Sequence, residues 1–542
     1  MKKILALSFA TLVCIFSITT FTGGRQAQSA LAYSNSFADK LEIFKLILDT
    51  VQQRYVEDYS QEELLEHAIN GMLSKLDPHT SYLPVDNFKR WNKNFEGFQG
   101  IGIQYAFIEN KPTITGFISN SPAQDGGMKI GDRIVKIDEK DATNLSRVEM
   151  AELINNSPRA VTNMHVWRPD SRSMHTFKIR REHLNLKSVQ TRTMLQKGIG
   201  YVHIDRFCSN TAYELDDALN LLARQGMRSL ILDLRDNGGG YLSSAVEVTD
   251  RFLPPGKLIV YTLGKDPDSY QEYRAARSSI FTEIPLTILI NHGSASAAEI
   301  VAGALQDWDR AVILGETSFG KGLVQSQYRF RDGSALLVTT AKYYTPLGRL
   351  IQRNYHSSTK DEYYYDAYDE VAHKPGQHEP NEQVFITPRG RRLYGRGGIE
   401  PDLWVKNDDS IVSDELLDLY LNHNEEVLKF TLDLLYKRPW LQESKTDDIS
   451  TNIQITDKEL LAFKNRINSL DKLYKAHFFS KNKEDIRFLL RRELAYLAHG
   501  TEGRFRVAKT RDSQLQNAIA NQKKALALVQ YQLSHMSGNK TE

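Results

Sequence analysis

Four short runs in the middle of the chain, residues 230–234, 286–290, 312–314 and 336–340, are rich in leucine and β-branched residues and bounded by turn-forming sequence. Apolar runs of that length read as buried strands. The segments between them carry apolar residues at helical spacing. Strand alternating with helix from about 197 to 263, and again from 285 to 344, predicts an α/β core. At 542 residues the chain has room for further domains on both sides.

The flanks read differently. From 37 to 76 the apolar positions recur at helical spacing (Ile43, Phe44, Ile47, Leu48 and Val51, then Leu64, Leu65, Ile69, Met72 and Leu73), which predicts an N-terminal helical region over 37–96. Residues 97–186 read as short strands around one helix, a module of some ninety residues. The core is expected over 187–406, and within it 355–398 is polar, tyrosine-rich and interrupted by Pro375, Pro380 and Pro388, an irregular excursion. Helical periodicity returns over 410–542 and predicts a C-terminal helical domain.

Composition excludes several classes. Lys plus Arg total 69 against 67 Asp plus Glu, and 41% of residues are hydrophobic, so the chain is globular and no nucleic-acid partner is expected. Two cysteines cannot build a disulfide scaffold or a thiolate zinc site. No histidine pair has zinc-hydrolase spacing, and no metal or cofactor is expected. Met1-Lys2-Lys3, an uncharged stretch over 4–21 and Ala30-Leu31-Ala32 read as a bacterial export signal over 1–32, cleaved after Ala32. The expected location is the periplasm or cell envelope, with an uncleaved inner-membrane anchor as the alternative. Export would leave Cys208 as the sole thiol, read as inert filler.

Three blocks could carry chemistry. In Asn291-His-Gly-Ser-Ala-Ser-Ala-Ala-Glu-Ile300 a strand feeds a turn and a helix begins near Ala297, which places Ser296 beside unpaired N–H groups at the positive end of a helix dipole. Such a site suits an oxyanion; the same pattern, with Glu299 three residues on, is also a capping box. Gly315-Glu-Thr-Ser-Phe-Gly-Lys-Gly322 resembles a phosphate-binding loop, but Gly322 replaces the magnesium-binding hydroxyl, so Lys321 needs another purpose. A lysine serves as a base when burial lowers its pKa. Asp233-Leu-Arg-Asp-Asn-Gly-Gly-Gly240 ends a strand and opens a helix, and its glycines let backbone N–H groups face an anion.

Together these blocks resemble the carboxyl-terminal processing proteases, or tail-specific proteases, over about 37–406. On that resemblance the nucleophile falls on Ser296, the lysine on Lys321, the lysine-orienting glutamine on Gln325, and the oxyanion hole on the N–H groups of Gly240 and Ala297. Asp77-Pro-His-Thr-Ser-Tyr82, Tyr344-Thr-Pro-Leu-Gly-Arg349 with Ile351-Gln352, and Gly397-Gly-Ile-Glu-Pro-Asp402 also match. Ala298 and Gly238 depart from a frequent serine and a frequent proline. Asp307, eleven helical residues from Ser296 and so about 16 Å away, is assigned to the helix end. Four residues of extended chain span about 13 Å, so the chain must bend near Gly322 if Gln325 is to touch Lys321.

The module over 97–186 resembles a PDZ domain. Gly100, Ile101, Gly102 and Ile103 would form the carboxylate-binding loop and edge strand, Ser121-Pro-Ala-Gln-Asp-Gly-Gly-Met-Lys-Ile-Gly-Asp132 matches the turn-and-helix signature, and residues 147–154 would face the groove. The resemblance implies a multidomain α/β protein. Its parts are N-terminal helices, a PDZ domain inserted ahead of a crotonase-like protease core, and a C-terminal helical extension. The expected activity is a cofactor-free serine endopeptidase acting on unfolded or tagged proteins with free apolar C-termini, in processing or quality control. The helical tail would contact an adaptor or a second copy. The rival reading is a catalytically silent PDZ scaffold of the cell envelope.

Overall fold

The computed structural model of the chain describes residues 36–538 except 156–158, 197, 357–358, 367–381, 396, 408–413, 445–451 and 471–475. The expected export signal, Pro375 and Pro380 lie outside the described residues. No helix among the described residues is long and apolar enough to cross a membrane.

The chain divides into two compact units after Met72. The first holds the helix Phe37–Arg54, capped by Ser36, whose Oγ accepts from the Asp39 N–H, and most of the helix Gln61–Leu73. The expected helical region over 37–96 does not stay helical beyond it. In the second unit Ser81–Leu83 forms a strand paired with Ala335–Tyr344, followed by the helix Val85–Glu96.

The protease-like core is built on a six-stranded sheet in the order Val189–Gln196, Ile199–Ile204, Ser229–Asp233, Leu286–Ile290, Val312–Gly315 and Leu403–Trp404. The first pair is antiparallel and all later pairs are parallel. Alternation sorts its side chains into two layers. Leu230 and Leu232 pack under the helices Thr211–Arg224, Leu242–Asp250 and Ala297–Asp307, while Ile231 faces the other way with Tyr201, Leu289 and Leu314. Each fully buried leucine contributes about 1.5–3 kcal/mol. The run expected as a strand at 336–340 belongs instead to a separate antiparallel sheet, where Ala335–Tyr344 pairs with Leu323–Arg329 and Leu258–Gly264. Its length, ten residues, exceeds what the buried run alone suggests because polar residues continue the strand.

The excursion over 355–398 holds more structure than its composition indicates. Thr359 and Glu362 form a capping box for the helix Lys360–Tyr365, and Val384–Ile386 pairs with Arg392–Tyr394 as a hairpin. The PDZ-like module has the sheet expected of it, with Ile103–Ile108 at one edge and the helix Arg147–Asn155 following. Strands Phe98–Gly100 and Glu182–Leu184 pair where the chain enters and leaves.

The region beyond 410 does not act as one separate domain. Helices between Asp414 and Ala508 gather around Val427, Leu435, Phe463 and Leu490, and this cluster takes in Ile108 from the PDZ-like edge strand. The helix Lys483–Ala508 is broken at Gly500, where φ is +62°. The helices Ser513–Ala520 and Gln522–Gly538 instead cover the second face of the core sheet, with Leu515 and Ala518 against Ile231 and Leu314, and Ala525 and Leu528 against Val312.

Candidate active site

The strand Leu286–Ile290 delivers the chain to a turn braced by side-chain hydrogen bonds. Asn291 Oδ1 accepts from the Gly293 N–H at 3.1 Å, and Ser294 Oγ donates to the Leu234 carbonyl at 2.7 Å. This bracing holds Ser296 at φ +55° and ψ −114°, a region that non-glycine residues avoid unless their surroundings fix them. Ser296 is the N-cap residue of Ala297–Asp307. Ser296 and Glu299 face each other in a capping box, in which Glu299 Oε2 accepts from the Ser296 N–H at 2.8 Å.

The glycine block passes directly beside this turn. A Cβ on Gly239, where φ is +96°, would sit 2.8 Å from Ser296 Cβ, and one on Gly240 would sit 2.1 Å from the Phe207 carbonyl oxygen. Only glycine fits either position. Gly238 has open space around it, so the departure there costs the loop nothing. Among the described residues the N–H groups of Gly240 and Ala297 make no hydrogen bond, and both residues line the pocket that holds Ser296.

Lys321 reaches the same pocket from the loop after Val312–Gly315. Its Nζ donates to Gln325 Oε1 at 2.7 Å, and Gln325 Nε2 donates to the His79 carbonyl at 2.8 Å. The bend that this contact requires is present, a register shift between Val324 and Gln325 in the strand Leu323–Arg329. Burial lowers the Lys321 pKa to about 8, with Asp77 and Glu299 pulling it back up. No hydrogen bond joins Ser296 to Lys321 among the described residues; the two side chains meet across the pocket.

Glu299 does more than cap a helix. At 1% exposed it is buried, and its two oxygens accept from the Ser318 hydroxyl (2.5 Å) and from the N–H groups of Gly320 (2.7 Å), Lys321 (2.9 Å) and Ser296. One carboxylate therefore fixes the serine turn and the lysine loop to each other. Burial pushes its pKa up, and these hydrogen bonds oppose that shift. The Tyr343 hydroxyl adds a second tie, lying 3.1 Å from the Ser296 carbonyl and 2.7 Å from the Lys321 carbonyl. The sequence alone predicts a capping role for Glu299 and none for Tyr343. The Glu three residues after Ser296 was the available signal for the first; a tyrosine in a strand carries no such signal.

His79 is buried behind the lysine. Its ring nitrogens lie within 3.0 Å of the Tyr364 hydroxyl and 3.3 Å of the Tyr363 hydroxyl, and burial, then the nearby Lys321, lower its pKa to about 3. Asp77 accepts from the His79 and Thr80 N–H groups, which sets the turn that presents the His79 carbonyl to Gln325. The other matching motifs support the same loop. Gln352 Oε1 accepts from the Gly322 N–H, and Ser318 Oγ accepts from the Ile399 N–H. Asp307 ends its helix in a buried pair with Arg349 at 2.6 Å, outside the pocket lining. Cys208 is buried, and its thiol pKa is raised by burial, as suits an inert residue.

The pocket, about 280 Å³, is otherwise lined by Gln327 and by apolar side chains. Trp91 and Phe95 from the helix Val85–Glu96 face Tyr241, Ile300, Leu323 and Leu337 across it. In the PDZ-like module, Ile101 is buried and Gly102 turns the chain at φ +81°, beside Ser121, into the edge strand at Ile103. A Cβ on Gly100 would meet the Phe98 ring at 2.7 Å. Odd-numbered residues of that strand, Ile103, Tyr105 and Phe107, pack on the module's own core. Gln104 faces the tail, where its Oε1 accepts from the Tyr496 hydroxyl at 2.8 Å. No group of three His, Cys, Asp or Glu side chains among the described residues could hold a metal ion.

Three family models match the chain: peptidase family S41 over 198–359, a PDZ domain over 88–167, and the activating protease CtpB N-terminal domain over 16–87. A carboxy-terminal-processing protease of Bartonella bacilliformis is 36% identical over 318 residues, covering 58% of this chain and 73% of that protein. A probable CtpA-like serine protease of Staphylococcus aureus is 33% identical over 301 residues, 55% of this chain and 60% of that one, so the chain spans less than two thirds of the staphylococcal relative. Among solved structures, a photosystem II D1 C-terminal processing protease aligns with 67% of this chain and 92% of its own length, at 26% identity and a TM-score of 0.35.

Proposed function

Since the chain belongs to the carboxy-terminal-processing proteases of peptidase family S41 and is a serine-type peptidase, we propose that it cleaves peptide bonds with a Ser296–Lys321 pair. The observation that carries this reading is the convergence of Ser296, Lys321, Gln325, Gly240 and Ala297 on one pocket, with the lysine pKa brought down to about 8 by burial. Ser296 attacks the scissile carbonyl, and neutral Lys321 takes the hydroxyl proton and returns it to the leaving amine. The N–H groups of Gly240 and Ala297 stabilise the tetrahedral oxyanion. Water then enters, gives a proton to Lys321 and bonds to the acyl carbon; as the acyl–Oγ bond breaks, Lys321 returns that proton to Ser296 Oγ. Gln325, held by the His79 carbonyl, keeps the lysine aimed at the pocket.

Substrate selection falls to the PDZ domain. An unfolded chain with a free apolar C-terminus would add a strand along Ile103–Ile108, with its carboxylate in the turn made by Gly100, Ile101 and Gly102. Residues 1–32 read as an export signal, and on that reading the activity would work in the periplasm or cell envelope.

The test uses the purified chain and an unfolded protein ending in apolar residues. Ser296→Ala should lower turnover by at least about a thousandfold. The fold should survive, since at most a helix cap worth about 1 kcal/mol is lost. Turnover within tenfold of wild type would overturn the assignment.

A further inference from the structure

The tail helices do not line the Ser296 pocket, but one of them grips the loop that carries the proposed oxyanion hole. The strand Ser229–Asp233 stays in the sheet ladder through Leu234, whose N–H donates to the Leu289 carbonyl at 2.9 Å. Arg235 is the first residue to leave it. Its guanidinium is largely buried and forked between two carboxylates. Nε and Nη2 donate to Asp233 (2.9 and 2.6 Å), while Nη1 and Nη2 donate to Asp512 (3.0 and 2.7 Å). Nη1 also donates to Gln514 Oε1 at 3.1 Å. Asp512 is the N-cap of Ser513–Ala520, and its Oδ1 accepts from the Leu515 N–H at 2.8 Å.

Asp233 alone would neutralise Arg235. A second carboxylate, 277 residues away in sequence, is therefore not needed to make burial of the charge tolerable. What it adds is direction, because a guanidinium held on two edges by bidentate pairs cannot rotate.

The residues that follow transmit that direction to the pocket. Asp236 stands at φ +57°, with its N–H donating to Asn291 Oδ1 and its own Oδ1 accepting from Asn291 Nδ2. The Asn237 carbonyl accepts from the Ala295 N–H, and Asn237 Oδ1 accepts from the Gly239 N–H. The Gly239 carbonyl accepts from the Phe207 N–H. The loop over 235–240 and the serine turn over 291–296 thus form one cross-tied piece, with Arg235 at one end and Gly240 beside Ser296 at the other.

We propose that Asp512 is a positioning residue for hydrolysis: by fixing Arg235 it sets the loop that aims the Gly240 N–H at the reacting carbonyl. The proposal rests on the Ser296–Lys321 reading. The competing role for Asp512 is a staple that merely fastens the tail to the core, yet the tail has other fastenings. Phe505 stacks on Tyr201 at 4.4 Å, Gln514 Nε2 donates to the Val405 carbonyl, and Leu515, Ala518, Ala525 and Leu528 are buried against the sheet. Losing one carboxylate leaves these intact.

Asp512→Asn separates the two roles, since asparagine caps a helix as well as aspartate does but cannot accept a bidentate guanidinium pair. The substrate is an internally quenched peptide with apolar residues around its cleavable bond and a free apolar C-terminus. Outright loss of an oxyanion donor costs about 10²–10³ in kcat, so a misaimed donor should cost about tenfold. KM should stay within about twofold, the melting temperature within about 2 °C, and the midpoint of the pH–rate profile should not move, because Lys321 is untouched. A kcat within twofold of wild type would overturn the proposal. So would a loss confined to KM, a loss matched by a fall in melting temperature, or a shifted midpoint. Ser296→Ala run alongside separates the two readings. If it is active, the Ser–Lys reading fails; if it is inactive while Asp512→Asn keeps full kcat, only the positioning role fails.

Discussion

The base should reveal itself in the pH dependence of both rate and stability. With Lys321 at a pKa of about 8, about a tenth of the molecules hold it neutral at pH 7, half at pH 8 and nine tenths at pH 9. The value of kcat/KM should therefore climb nearly tenfold per pH unit up to about pH 7 and level off above about pH 9. His79 cannot supply this limb, because its pKa lies at about 3. Stability carries an independent signature. The gap between about 8 in the fold and the usual 10.5 corresponds to about 3 kcal/mol at 1.36 kcal/mol per pH unit. Below pH 8 the lysine is protonated in both states and the full penalty stands. Between pH 8 and 10.5 the folded lysine has lost its proton while the unfolded one keeps it, so stability rises with pH. Initial rates from pH 6 to 10 test the first part. Urea unfolding of wild type against Lys321→Met at pH 7 and pH 10 tests the second, and wild type should gain about 2–3 kcal/mol relative to the variant. A profile with its midpoint near 6.5, or variant and wild type keeping the same stability difference at both pH values, would refute the reasoning.

Three further outcomes follow from the same geometry. Glu299→Gln replaces a buried acceptor of four hydrogen bonds with an amide that brings two unwanted donors. It should cost about 2–3 kcal/mol in urea unfolding and at least about tenfold in kcat, and an unchanged kcat would show that the serine and lysine loops hold each other without it. Tyr343→Phe removes only the hydroxyl bridging the Ser296 and Lys321 carbonyls, so a loss of about 1 kcal/mol in stability with KM unchanged is expected from parallel unfolding and kinetic measurements. Amidating the C-terminus of an unfolded substrate should weaken binding at least about tenfold in a direct titration and leave the saturated rate alone; equal affinities would reject carboxylate capture.

Where sequence spacing implied geometry, the site was legible. Ser296 at a helix start, glycines facing it and a lysine on a Gly-flanked loop each have a local signature, and all three line one pocket. Gln325 illustrates the limit. Four extended residues are too long a span for its contact with Lys321, and the register shift at Val324 that closes it depends on the partner strand rather than on the local sequence. His79 enters through its carbonyl, an atom every residue has, so no side-chain pattern could have marked it. Periodicity identified the helices beyond 410 but not what their apolar faces meet. Ser513–Ala520 and Lys483–Ala508 read alike, although one covers the core sheet and the other packs mainly with its neighbouring helices around Leu490. The helix Lys360–Tyr365 was obscured because its tyrosines look like surface residues, and Tyr363 is buried only because His79 and Phe319 are there to receive it.

The order in which the pieces of this site are made has a consequence for the sheet beneath it. The serine, the lysine and the pocket walls are all in hand by Tyr343, but the sheet beneath them still lacks its strand Leu403–Trp404 and the cover over its second face, which runs to Gly538. At roughly 5–20 residues per second, the ribosome needs about 10–40 s more to supply them. Throughout that interval Ile231, Leu289, Leu314 and Val312 lack the helices that bury them in the finished fold. A copy cut off ahead of Ser513 would keep every residue of the proposed site and leave one face of the sheet beneath it without its cover.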